Sequence, residues 1–184
     1  MDAAQLDLIA DLKTFVGFTD EDARQLKALG QIMEPHYAAI ADAFYGQLAA
    51  NPETLRFIEG RVDQLKATHY RWMVELFSGS YDDAYFTSCW RIGVVHVKAE
   101  IPPHWVEAVM NVIRAQALDV ITDQADRFPS VLEMRAHYQS VLRICDLNVL
   151  IINLAYSEER LTRLVNFTGM KRPLIENIIR LPAR

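Results

Sequence analysis

The chain has 184 residues, of which 51% are hydrophobic and 23% charged, with a formal net charge of -5. A chain of this length buries roughly 70% of its unfolded surface, enough for one domain with a sizeable core. The acidic balance excludes a general nucleic-acid or anionic-membrane surface, which needs clustered Lys and Arg, and two cysteines, Cys89 and Cys145, cannot build a disulfide framework. Apolar residues recur at spacings of three and four between glycine and proline breaks, which predicts an all-α fold. A first helix is expected over about 4–15. A second opens at Thr19, where Asp20, Glu21 and Asp22 set negative charge at the helix N-terminus, and runs to about Met33. Pro35 starts a third, over 35–50, which ends before Asn51-Pro52, an N-cap followed by proline at the first helical position. A short helix to Ile58 follows. Longer ones are expected over 61–77, stopping at Ser78-Gly79-Ser80, and over 82–97. After Pro102-Pro103 come the two longest elements, 103–126 and 130–166, separated only by Arg127-Phe128-Pro129. A break at 167–170 divides a domain over 1–167 from a segment over 168–184, a linker or cap that could lead to an effector domain outside this sequence. Within it Ile175, Ile178 and Ile179 form an amphipathic stripe. The N-terminus lacks the basic and apolar parts of a signal peptide, and no uncharged run approaches the ~18 residues of a membrane span, so no membrane insertion and a cytoplasmic location are expected.

Two features carry chemistry. His96 closes the run Arg91-Ile92-Gly93-Val94-Val95-His96, and a helical histidine ending an apolar run can ligate a metal buried beside that helix. For a histidine alone, partial burial without a metal is the commoner meaning. Leu65, Thr68 and Trp72, at i, i+3 and i+7, give another helix a face of apolar bulk with one hydroxyl, suited to a flat apolar cofactor. His36, His104 and His137 share no metal-ligand spacing, and no repeated Glu-x-x-His pair supports a di-iron bundle. Phosphate loops, nucleophile elbows and H-E-x-x-H are absent, so hydrolase and kinase readings have no residues to rest on.

Phe44-Tyr45, Leu65-Lys66-Ala67-Thr68, Phe77-Ser78-Gly79-Ser80-Tyr81-Asp82-Asp83, Arg91 to His96 and the Ile-x-Pro-x-Trp of Ile101 to Trp105 lie in this order along the chain. Together they resemble the distal tyrosine, distal helix, following corner, proximal segment and proximal turn of the globin domain of globin-coupled sensors. The resemblance covers roughly 19–166, includes the 28-residue spacing from Thr68 to His96, and extends to the helix before Thr19, similar to the family's extra N-terminal helix. Glu100 departs from it where the family usually has glycine, and Val106 where an aromatic residue is usual. It implies a globin fold and a heme. With no C-x-x-C-H in the chain, that heme would be a non-covalent heme b.

Carried onto this sequence, the resemblance implies that His96 is the proximal iron ligand, its other nitrogen donating to a backbone carbonyl. Tyr45 would stand over the sixth coordination position and donate to O2, with Thr68 orienting it or a water; a helical threonine otherwise bonds its own i−4 carbonyl. His69 lies 27 residues before His96, but adjacent helical residues point about 100° apart. Thr68 is therefore expected inward and His69 toward the heme edge or solvent. Leu65 and Trp72 would line the distal wall, Phe44, Phe57 and Ile92 would contact the heme, and Lys66 and Arg71 would pair with its propionates.

The stretch 149–155 is apolar around most of its circumference, more than one core-facing stripe requires. A homodimer is expected, in which Leu150, Ile151 and Leu154 and the helix over 106–121 form a four-helix bundle, the family's mode of pairing; a single buried core helix explains the pattern equally. The function implied is an O2 sensor, with CO or NO as further ligands, that passes ligand state through the dimer to an effector or transmitter domain. Two alternatives stay open: a heme globin enzyme, acting as nitric oxide dioxygenase or weak peroxidase, and a heme-free helical interaction domain.

Overall fold

Side-chain caps start most of the helices in the computed structural model, which describes residues 1–181. In α1 (Ala3–Phe15) Asp2 and Gln5 cap each other's backbone. Before α2 (Asp20–Met33) the Asp22 carboxylate accepts from the Thr19 amide and hydroxyl. Asn51, Asp82 and Ser130 cap α4 (Pro52–Ile58), α6 (Asp83–Lys98) and α8 (Val131–Thr168) in the same manner. The remaining helices are α3 (Tyr37–Ala49), α5 (Val62–Leu76), α7 (Pro103–Asp123) and α9 (Arg172–Arg180). Among the described residues no strand occurs.

The expected third helix is shorter than its sequence pattern. Pro35 lies in a 3-10 turn, Glu34–His36, and the α-helix begins only at Tyr37. Proline has no N–H for an i→i−4 bond, so the chain bends tightly there before resuming. Similarly α7 stops at Asp123, and a second 3-10 turn, Ala125–Arg127, leads to α8.

The 38-residue α8 is the axis of the fold, packed by α6, α7 and α2. Its inward stripe includes Ile144, Leu147, Ile151 and Ala155, all inaccessible to solvent. Among the described residues one helix, α8, is long and apolar enough to cross a membrane by length and composition, yet 56% of its most apolar stretch is buried inside the fold. Its apolar content is used in the core. This corrects one interface expectation: Ile151 is a core residue, while Leu150 remains exposed and Leu154 half-buried. Ile151 belongs to the inward face of α8.

Gly93 sets how closely α6 crosses α8. A Cβ there would stand 2.6 Å from the Ile152 carbonyl oxygen and 2.7 Å from the Ala155 Cβ. Only glycine lets the two backbones meet at this distance. On another face Asp22 joins α2 to α8, accepting from the Ser140 hydroxyl and the Arg143 guanidinium, each at 2.7 Å.

Past α8, Gly169 takes the left-handed conformation that ends the helix. The chain then folds back as α9, with Ile175 buried and Arg172 paired to Glu158 and Glu176. Residues 172–180 thus cap the end of α8; the last three positions of the 168–184 segment lie outside the described residues.

Candidate functional site

A cavity of about 380 Å³ opens between α3, α4, α5, α6 and α7 and reaches Ile152 of α8. All nine pocket residues named from the sequence line it: Phe44, Tyr45, Phe57, Leu65, Thr68, His69, Trp72, Ile92 and His96. The volume lies within the range of small-molecule sites, roughly 300–1,000 Å³.

His96 stands in the last turn of α6. Its Nδ1 lies 2.7 Å from the Ile92 carbonyl oxygen. A carbonyl can only accept, so Nδ1 carries the proton and Nε2 keeps its lone pair. Burial draws the His96 pKa below the ordinary range, partly opposed by the Ile92 carbonyl. A neutral imidazole with its second nitrogen anchored is the form in which histidine binds a metal.

Helix α6 closes immediately beyond His96. The Ile101 amide donates to the His96 carbonyl at 3.0 Å and the Glu100 amide to the Val97 carbonyl at 3.1 Å, a Schellman closure. It demands a left-handed residue at its turn, and Glu100 supplies it at φ 57, the one positive φ outside glycine among the described residues. This is the position where the resemblance leads one to expect glycine. Ile101, held by the closure, lines the cavity, as do Trp105 and Val106; its carbonyl also accepts from the Tyr156 hydroxyl at 2.8 Å.

On the opposite wall, Tyr45 of α3 is buried, with its pKa pushed up to about 12 by burial. Its ring meets those of Phe44 at 5.1 Å and His69 at 5.8 Å, both edge-on. Unlike Tyr81 and Tyr156, whose hydroxyls donate to the Leu76 and Ile101 carbonyls, Tyr45 has no hydrogen-bond partner for its hydroxyl among the described residues.

The order of Thr68 and His69 is the reverse of expectation. Thr68 is exposed at the cavity rim, its hydroxyl donating to the Gln64 carbonyl at 3.2 Å. His69 is 8% exposed and turned inward against Phe44 at 4.3 Å and Trp72 at 5.2 Å. Threonine satisfies its hydroxyl on its own helix, whereas the imidazole gains contact with three aromatic rings. Burial lowers the His69 pKa to about 4, and its Nδ1 is buried without a partner.

Lys66 and Arg71 do not line the cavity. Lys66 pairs with Asp42 at 2.6 Å, and Arg71 donates to Thr68 Oγ1 at 3.3 Å. The arginines that line it are Arg91 and Arg61, whose guanidinium donates to the Phe57 carbonyl at 2.7 Å. Arg91 was legible as part of the His96 run; Arg61 sits at the start of α5, a place periodicity does not mark. Also unforeseen is Asn148, fully buried on α8, whose Oδ1 accepts from the Trp72 indole at 3.3 Å and the Cys89 thiol at 3.1 Å while Nδ2 donates to the Tyr85 hydroxyl at 2.8 Å. A lone asparagine within an apolar helical run was its only signal.

Among the described residues no three His, Cys, Asp or Glu side chains gather where they could hold a bare metal ion. One anchored imidazole, apolar and aromatic walls and two guanidinium groups instead fit a planar apolar cofactor that brings its own metal and carries anionic edge groups.

The Protoglobin family model matches residues 5–162. Among solved structures, the globin domain of a Geobacter sulfurreducens globin-coupled sensor is 37% identical, with a TM-score of 0.74 over 80% of this chain and 96% of that one. The globin domain of E. coli DosC, in a ferric form, is 20% identical, with a TM-score of 0.66 over 82% of this chain and 99% of that one. Its ferrous form gives the same TM-score at 18% identity, covering 79% and 97%. The all-α arrangement described above is the globin fold of these domains.

Proposed function

Since the chain belongs to the Protoglobin family, we propose that it is a heme-based gas sensor domain, holding heme b through His96 and binding O2 beneath Tyr45. The observation that carries this reading is the pairing of an imidazole whose Nδ1 is tied to the Ile92 carbonyl with an unpartnered Tyr45 hydroxyl on the same cavity. Heme, when bound, would supply an iron able to take up a diatomic gas. Arg61 and Arg91 suit its propionates. The Tyr45 hydroxyl favours ligands that carry partial negative charge, such as O2, over CO, which carries little, by about 1 kcal/mol in a dry pocket. NO is a further ligand on the same reasoning.

Signalling requires that ligand state bias a second equilibrium. We place that equilibrium in a homodimer formed by the outer faces of α7 and α8, where Leu118 and Leu150 are exposed and Leu154 half-buried. The hydrogen bond from Trp72 to Asn148 ties the distal wall to α8, so a shift at Trp72 has a mechanical partner there. An effector or transmitter domain would read the change.

The test is the visible spectrum of the full chain reconstituted with heme, beside His96→Gly. An intense Soret band that shifts with O2 and CO, is lost or altered in His96→Gly and is restored by free imidazole supports the reading. Absence of one-to-one heme binding overturns it. Tyr45→Phe then isolates the distal donor: O2 dissociation should accelerate about fivefold, the equivalent of ~1 kcal/mol, with CO dissociation unchanged.

A further inference from the structure

His96 lies between two points at which its segment is tied to α8. Three residues before it, Gly93 brings the α6 backbone onto α8 at Ile152 and Ala155. Five residues after it, the Ile101 carbonyl accepts from the Tyr156 hydroxyl of α8 at 2.8 Å, while the Ile101 amide donates to the His96 carbonyl at 3.0 Å. The backbone of His96 and the phenol of Tyr156 are thus joined through a single residue. The sequence explains why a phenol is needed there. Ile101 is followed by Pro102 and Pro103, neither of which has an N–H to offer, and among the described residues its carbonyl accepts no backbone hydrogen bond. That carbonyl has to be satisfied from outside the turn. Tyr156 is itself 3% exposed, so its O–H has the same need. Its ring lies in a small apolar cluster with Val97, Val106 and Ile152, and the Arg160 guanidinium covers it at 5.7 Å from the centroid. Tyr156 is also the last buried residue of α8, so the turn is tied to that helix where it leaves the core.

We infer that Tyr156 is a positioning residue for the proximal ligand: by holding the Ile101 carbonyl it fixes the turn that closes on His96, and so sets how the imidazole Nε2 faces the cavity. The inference rests on the reading of His96 as the ligand of a heme iron. Two hydrogen bonds then divide the work. The bond from Nδ1 to the Ile92 carbonyl fixes the ring relative to α6, and the bond from Tyr156 fixes the end of α6 relative to α8. The first survives loss of the second. Removing the Tyr156 hydroxyl therefore leaves His96 able to bind the iron but free to shift with its turn, which alters the strength of the iron–histidine bond without abolishing it. Asn148, about two turns earlier on α8, holds Trp72 of the opposite wall, a separate tie that the loss of this hydroxyl does not touch.

The experiment uses the full chain reconstituted with heme and compares wild type, Tyr156→Phe, His96→Gly and the double variant. Phenylalanine keeps the ring in its cluster and under Arg160 and removes only the hydroxyl. Amide hydrogen exchange at Ile101 should accelerate about fivefold in Tyr156→Phe, the equivalent of ~1 kcal/mol for one hydrogen bond. In the ferrous CO complex, vibrational spectroscopy reads both sides: the iron–histidine stretch after photolysis reports the proximal bond, and the C–O stretch reports the distal wall. Tyr156→Phe should shift the first and leave the second at its wild-type frequency. In His96→Gly filled with free imidazole the base is not attached to α6, so adding Tyr156→Phe should leave the iron–imidazole stretch unmoved. An unmoved iron–histidine stretch, or unchanged exchange at Ile101, overturns the inference and leaves His96 as ligand. So does a shift that persists in the imidazole-filled variant, because it would not pass through the backbone of α6. A C–O stretch that moves together with the iron–histidine stretch also overturns it, as the sign of a general loosening of the fold. Failure of wild type to bind heme overturns this inference and the heme reading together.

Discussion

Replacing Glu100 by glycine should stabilise the protein, although it removes a side chain and adds no contact. Glu100 occupies the left-handed position that closes α6, at φ 57, with its own amide on the Val97 carbonyl and the next amide on the His96 carbonyl. A non-glycine residue in that conformation costs about 1–2 kcal/mol. Glycine avoids the cost but has more freedom to lose on folding, which returns roughly 0.4–1 kcal/mol. The carboxylate also lies at the negative end of the helix dipole, and removing it adds about 0.3 kcal/mol at an exposed site. The net gain is roughly 0.3–1.9 kcal/mol, centred near 1, and each kcal/mol raises Tm by about 2–4 °C for a chain of this size. Urea unfolding of wild type, Glu100→Gly and Glu100→Ala measures it. Alanine removes the charge but keeps the strained backbone, so the difference between the two variants isolates the conformational part. Equal midpoints for the two would refute the argument, because the strain at the turn would then not exceed what glycine loses in folding entropy.

Three further outcomes follow from the packing. Gly93→Ala should destabilise by about 1–3 kcal/mol, since its Cβ meets the Ile152 carbonyl and Ala155 within 2.7 Å; an unchanged thermal melt would mean that α6 and α8 separate freely. Asp22 is penalised by burial, yet hydrogen bonds from Ser140, Thr19 and Arg143 hold its pKa below the usual 3.8. With the folded value depressed, its contribution is complete above pH 4 and is lost as pH falls through that lower value. Asp22→Asn should cost about 2–3 kcal/mol at neutral pH and flatten the acid limb of the urea-midpoint profile, and an acid limb as steep as wild type counts against it. For the dimer, Leu150→Glu with Leu154→Glu should shift sedimentation from dimer to monomer with the fold intact, whereas Ile151→Glu should unfold the chain by burying a charge in the core. Dimers that persist in the double variant exclude this face.

Helix number and order were legible because breaks in this chain are chemically explicit: Asn51-Pro52, Ser78-Gly79-Ser80 and Pro102-Pro103 each remove or replace a backbone bond. Helix ends were less so. Whether Pro35 opens an α-helix or a 3-10 turn depends on how α2 arrives, which no local pattern records. The same limit applies to α8. Its apolar run does not say which of Leu150, Ile151 and Leu154 is buried, and the packing of α6, α7 and α2 on α8 makes Ile151 the core residue.

At the site, the sequence named nine of the residues that line the cavity but misjudged which of two neighbours is the more buried. The expectation set Thr68 over the distal face on the resemblance, and because adjacent helical residues point about 100° apart it turned His69 toward the heme edge or solvent. Burial is decided instead by local hydrogen-bond partners and by the ring contacts each side chain can make. Thr68 has an acceptor one turn back, in the Gln64 carbonyl, so its hydroxyl is equally content at the rim, and the side chain brings few apolar contacts inward. His69 has no such local partner, but its ring is large and flat, and α3 and α5 together offer it Phe44, Tyr45 and Trp72. The three rings repay the desolvation of the imidazole carbon face while leaving Nδ1 bare. Inward histidine is therefore the stable choice only in a fold that brings those rings together.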